Sequence, residues 1–325
     1  MLKQPEGAAE VNKDQVDNLE PSIREFQLRV AADALHHSSS GPGDIHERRR
    51  VAELVRAPWT QGGPQMAETI DRRVGEMHVP IRIHRPVART TLPILIYVHG
   101  GGWMIFSLNT HDRLMREYAA RAEVTVVGID YSLAPEAKFP TPIDEIVSVV
   151  RWLRTEGASQ GLDAPRIAIG GDSAGGNLSI ATNLALIAAG EAPLDAQLLN
   201  YGAFDPEPRL SYARFDGPEY NLTSEEMADF WENYLPGNHS ANPLASPLLA
   251  NLEGLPPTFL CIAECDILVD ENWEMARALE KAGVAVTAKG YPGASHSFLE
   301  AVSISPLADR ALADASEWLT RTLRA

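Results

Sequence analysis

The chain has 325 residues, 45% of them hydrophobic and 22% charged, a balance that supports a large buried core and not a disordered polypeptide. Its 44 acidic against 28 basic side chains leave a formal net charge of -16, which argues against nucleic acid and anionic membrane surfaces as partners. Only two cysteines, Cys261 and Cys265, are present, and no segment has the apolar character of a signal peptide or membrane span, so a cytoplasmic location is expected.

In chain order, residues 1 to about 60 read as polar and helical. Short runs rich in Val and Ile then appear at 79–84, 93–99, 124–131, 166–171, 197–204, 258–265 and 284–291, and these read as strands. Between them, 110–121, 142–154, 174–189, 271–282 and 307–323 carry apolar residues at helical spacing. Strands that alternate with helices imply an α/β fold with a mainly parallel sheet covered on both faces. Residues 205–245 break the rhythm with Pro, Asn and aromatic residues. The expectation is one α/β domain over 1–325, with a cap built from about 1–60 and 205–245.

The segment RIAIGGDSAGGN, 166–177, runs from a strand through glycines around Ser173 into a helix. This is the G-x-S-x-G elbow in the strand-turn-helix context that the motif needs, and it lifts Ser173 above the sheet as a nucleophile. Residues 99–103, HGGGW, follow an earlier strand. Consecutive glycines let backbone N–H groups face a substrate oxygen, so Gly101, Gly102 and Ala174 are the expected oxyanion donors. A phosphate-binding loop would need a Lys before Ser or Thr, and none follows.

A serine nucleophile needs a base and an orienting carboxylate, in the order Ser, Asp or Glu, His. Two histidines follow Ser173: His239, within the irregular region, and His296, directly after the last expected strand. His296 is the better placed. Asp266, at the C-terminal end of TFLCIAEC, is preferred as the carboxylate over Asp270, which reads as the N-cap of the next helix. Glu264 lies inside the strand. Asp172 and His99 read as structural supports of the two glycine loops.

With these residues in place, the chain resembles the hormone-sensitive lipase family of α/β-hydrolases and its bacterial acetyl esterases. The resemblance runs over roughly residues 75–320 and rests on HGGGW, LNTHDRLMR, IDYSLAPEAKFPTPIDE, GDSAGGN, AECDILVDE and YPGASHSF. It implies a carboxylic ester hydrolase using Ser173, Asp266 and His296, with the HGGG glycines as donors, a helical cap, and no metal or organic cofactor. Two departures concern substrate fit: HSF stands where HGF is common, and Trp103 where Phe is frequent. The expected partner is a small ester with a short acyl chain, and a homodimer is compatible with the sequence. The rival readings are a serine peptidase or amidase, and a non-catalytic ligand-binding homologue that would lack the histidine.

Overall fold

In the computed structural model, which describes residues 18–38, 44–88, 91–163, 165–237 and 239–324, the seven apolar runs become seven strands of one eight-stranded sheet. The strands are β1 (Glu68–Val74), β2 (Val79–Arg85), β3 (Ile94–Val98), β4 (Thr125–Ile129), β5 (Ile167–Asp172), β6 (Ala196–Asn200), β7 (Thr258–Cys265) and β8 (Val286–Ser295). Their spatial order is β1-β2-β4-β3-β5-β6-β7-β8, with β1 and β2 antiparallel to their neighbours and the remaining pairs parallel. All residues of β3, β4, β5 and β6 are buried. Continuous apolar runs are what a strand covered on both faces requires.

Alternation along β3 divides the core. Ile94, Ile96 and Val98 pack toward α4 (Thr141–Glu156) and α5 (Ala174–Ala188), whereas Leu95 and Tyr97 pack toward α3 (Asp112–Ala122) and α9 (Pro306–Arg324). A third cluster joins the rear of α5 to α8 (Val269–Lys281) across β6 and β7. The α/β expectation therefore holds.

Three boundaries differ from the sequence reading. β1, with its sequence ETIDRRV, was not expected. It is an edge strand with one buried residue, held by pairs such as Arg82 with Asp71, so it lacks the apolar signal that marks the other strands. β6 ends at Asn200 rather than 204, because Tyr201 turns to a positive φ of 36°. β8 continues to Ser295 through a register shift opposite Ala263 and Cys265, so His296 follows the strand without a spacer.

The two segments expected to form a cap hold the helices α1 (Pro21–His37), α2 (Ile45–Arg56), α6 (Leu210–Phe215) and α7 (Ser224–Tyr234). Glu20 caps α1 by accepting from the N–H groups of Ser22 and Ile23, and Thr223 with Glu226 closes a capping box on α7. Residues 1–17, 39–43 and 238 of the expected cap lie outside the described residues. Among the described residues, no helix is long and apolar enough to cross a membrane.

Candidate active site

The site is assembled at the C-terminal ends of β3, β5, β7 and β8. Ser173 sits between β5 and α5 with φ 53° and ψ -119°, a conformation that costs a non-glycine residue free energy and is held only by dense surroundings. A Cβ on Gly175 would lie 1.9 Å from the Val98 carbonyl oxygen, so the turn is closed to any larger residue. The N–H of Ser173 donates to Asn200 O at 2.9 Å, and the Asn177 side chain ties α5 to Ala203 and Ala245.

His296 Nε2 lies 3.0 Å from Ser173 Oγ, and its Nδ1 lies 2.6 Å from Asp266 Oδ2. Facing a carboxylate, Nδ1 carries the hydrogen, which leaves Nε2 as acceptor for the serine hydroxyl. The second carboxylate oxygen of Asp266 accepts from Leu268 N–H at 3.0 Å. All three side chains are buried. Asp270 does not meet this chain of groups.

Asp270 is not the N-cap of α8 either; that position is Leu268. Its carboxylate accepts from Ser211 N–H at 2.8 Å and pairs with Arg214 at 2.8 Å, so it ties the cap helix α6 to α8. Glu264, within β7, stands close to Gly290. His239 lies in a short 3-10 turn, His239–Ala241, and its side chain is outside the described residues.

Opposite the serine, Gly101 and Gly102 adopt φ 104° and 57°. A Cβ at Gly102 would lie 2.2 Å from the Phe230 ring, so glycine is required there on both grounds. Among the described residues, no protein acceptor takes the N–H groups of Gly101, Gly102 or Ala174. His99 stacks on Tyr131 at 4.5 Å and its Nδ1 lies 2.8 Å from Gly100 O. Burial, with the neighbouring His111, lowers the His99 pKa to about 3, so the ring stays neutral and donates that hydrogen bond.

A cavity of about 300 Å³ opens over Ser173 and His296. Its walls come from the sheet end, Ile105 and Phe106, and from the cap, Val30, Val51, Leu222 and Phe230. Trp103 does not line it. That side chain is fully buried, stacked on Tyr234 at 4.4 Å and against Trp231 at 4.5 Å, so it pins α7 to the glycine loop and does not narrow the pocket.

Sequence reasoning missed the residues that hold the histidine loop. Gln27 of α1 donates to Ser295 Oγ at 2.7 Å and to His296 O at 3.2 Å, and Asn221 reaches the same carbonyl at 3.4 Å. Arg56 of α2 pairs with Glu300 at 2.8 Å, both side chains 4% exposed, and burial raises the Glu300 carboxyl pKa even against that cation. Arg49 donates to Met104 O and Ala134 O, which joins α2 to the oxyanion side. The sequence reads residues 1 to about 60 only as polar and helical, which does not name a partner.

Comparison with known proteins follows the same lines. A family described as alpha/beta hydrolase fold matches residues 95–300. A carboxylesterase of Mycobacterium tuberculosis, NlhH, is 35% identical over 284 residues, covering 86% of this chain and 89% of that protein. The ethyl acetate hydrolase of Pseudomonas putida is 36% identical over 254 residues, covering 75% and 79%. The solved esterase of Pyrobaculum calidifontis superposes with a TM-score of 0.86 at 31% identity, covering 94% of this chain and 100% of that one.

Proposed function

This chain belongs to the hormone-sensitive-lipase-like α/β hydrolases and is a carboxylic ester hydrolase, and within that activity we propose that Ser173, His296 and Asp266 are its triad, acting on short-chain acyl esters. The observation that carries the assignment is the unbroken chain from Asp266 Oδ2 through His296 to Ser173 Oγ beneath a cavity lined by Gly101 and Gly102.

In the proposed reaction, His296 Nε2 takes the hydroxyl proton as Ser173 Oγ attacks the ester carbonyl. The amides of Gly101, Gly102 and Ala174 receive the developing oxyanion. Protonated His296 passes its proton to the departing alcohol; a water molecule, deprotonated by the same nitrogen, then attacks the acyl carbonyl, and His296 returns that proton to Ser173 Oγ as the acid is released. Asp266 holds the ring in the tautomer this requires and offsets its transient charge.

The short-chain preference rests on the cavity volume, about 300 Å³, which is at the small end for ligand sites, and on a roof tied down by ion pairs. The two arms of the cap, α1 with α2 and residues 205–245, are proposed to act as one fixed cover. A cytoplasmic location is proposed on the two cysteines, both buried and free. The test is kcat/KM for p-nitrophenyl esters from acetate to palmitate, with matched anilides. Efficiency should rise with each methylene, then fall beyond about six carbons once the pocket is filled. An optimum at ten carbons or longer, a jump in rate as substrate aggregates, or equal turnover of the anilides would overturn it.

A further inference from the structure

Behind the oxyanion loop lies a buried charge pair that the reaction does not use directly. His111, 1% exposed, presents Nε2 to Asp172 Oδ2 at 3.3 Å, and Asp172 is the residue immediately before Ser173. The other oxygen of Asp172 accepts from Tyr97 Oη at 2.8 Å and from Gly100 N–H at 3.2 Å. One carboxylate therefore touches both loops that carry the oxyanion donors.

The hydrogens on His111 can be assigned from its neighbours. Thr110 Oγ1 lies 2.8 Å from Ser107 O and gives its single hydrogen there, while accepting from Ser107 N–H at 3.0 Å. Toward His111 Nδ1, 2.9 Å away, it has only a lone pair to offer, so Nδ1 must donate. Nε2 faces a carboxylate oxygen and must donate as well. A ring that donates from both nitrogens is an imidazolium.

We propose that His111 is a permanently protonated positioning residue that, through Asp172, fixes Gly100 and the amides of Gly101 and Gly102 for the oxyanion. The groups facing it are Asp172 of β5, Tyr97 of β3, His99 and Phe106 from the glycine loop, and, farther out, Arg56 of α2 and Glu300 after His296. Burial opposes the charged ring, but the Asp172 carboxylate outweighs it and holds His111 above the ordinary histidine value, while Asp172 is held below its own. His99, its ring 5.5 Å away and neutral, adds no second cation. A pair already ordered before substrate arrives costs no reorganisation in the transition state.

The proposal rests on the oxyanion assignment above, so its test reads protonation and turnover separately. Nitrogen-15 spectra of histidine-labelled protein at about pH 8, where ordinary histidine is neutral, should show one ring protonated at both nitrogens. That signal should persist in Ser173→Ala and vanish in His111→Gln. His111→Gln should lower kcat about tenfold to a hundredfold with KM changed less than about twofold, and weaken a trifluoromethyl ketone inhibitor by a matching factor. Thr110→Val keeps the ring and removes the Nδ1 acceptor together with the two Ser107 bonds; it should lower the His111 pKa and reduce kcat about threefold, and it carries the kinetic test if His111→Gln does not fold. A neutral His111 at that pH overturns the proposal, as does wild-type kcat in the folded variants. Activity retained by Ser173→Ala would instead overturn the triad and leave the spectral result standing.

Discussion

The floor and the roof of the pocket are held by different means. The floor is backbone: strand ends of β3, β5, β7 and β8, a serine at positive φ, and glycines that contact with Val98 O and Phe230 leaves no room to replace. The roof is side chains reaching across the molecule: Gln27 to Ser295, Arg48 to Asp229, Arg49 to Glu136, Arg56 to Glu300, and Trp103 against Tyr234. A backbone turn writes its requirement into a few adjacent residues, whereas a long-range pair writes it nowhere locally. The first is therefore read from sequence, and the second is not.

The sharpest break of the floor is Ser173→Ala, expected to cut kcat about a thousandfold or more with the fold intact, since the hydroxyl supplies the covalent step and little packing. Asp266→Asn should fall about as far, by allowing the wrong histidine tautomer, and His296→Ala likewise. Retention of more than a few per cent of activity in any of these would remove that residue from the triad.

The roof should break differently. Arg56→Met leaves Glu300 buried without its cation and should cost about 3 kcal/mol of stability, with KM raised more than kcat is lowered. Urea unfolding and steady-state kinetics check both parts. A variant as stable as wild type would show that the pair does not hold the cap.

A smaller effect belongs to the floor and depends on pH. His99 is neutral in the fold with a pKa of about 3 against 6.5 for the free group, so the unfolded chain takes up the proton first as pH falls. Its contribution is complete above 6.5 and is lost toward 3, at no more than about 1.4 kcal/mol per pH unit. Unfolding midpoints at about pH 7 and 5 should differ more in wild type than in His99→Gln. An equal dependence would contradict a neutral buried ring.

The smallest change is expected at Asp270→Asn. Its pair with Arg214 is 47% and 31% exposed, and an amide oxygen can still accept from Ser211, so only a few tenths of a kcal/mol and no loss of kcat are expected. A large fall in kcat would return Asp270 to the carboxylate role.

Individual residues show why legibility followed this division. The buried strands were readable because LPILIYV and VTVVGI are apolar throughout, and GDSAGG because the elbow tolerates little else. β1 was not, since an edge strand of charged residues has no apolar pattern. Asp270 was misread as a cap because a local rule was applied where a long-range contact with α6 prevails. Trp103 was read as bearing on substrate fit, but its aromatic partners lie on α7, 131 residues away in the chain at Tyr234. His111 lies within LNTHDRLMR, one of the segments that carry the family resemblance, but nothing in that segment names its contact with Asp172.

The most direct test of the central claim is covalent. Incubation with diethyl p-nitrophenyl phosphate, followed by peptide mass spectrometry, should place one diethylphosphoryl adduct on Ser173, in step with loss of activity. Ser173→Ala should take up none, and Asp266→Asn should react far more slowly. An adduct on another residue, or inactivation without modification of Ser173, would contradict the account.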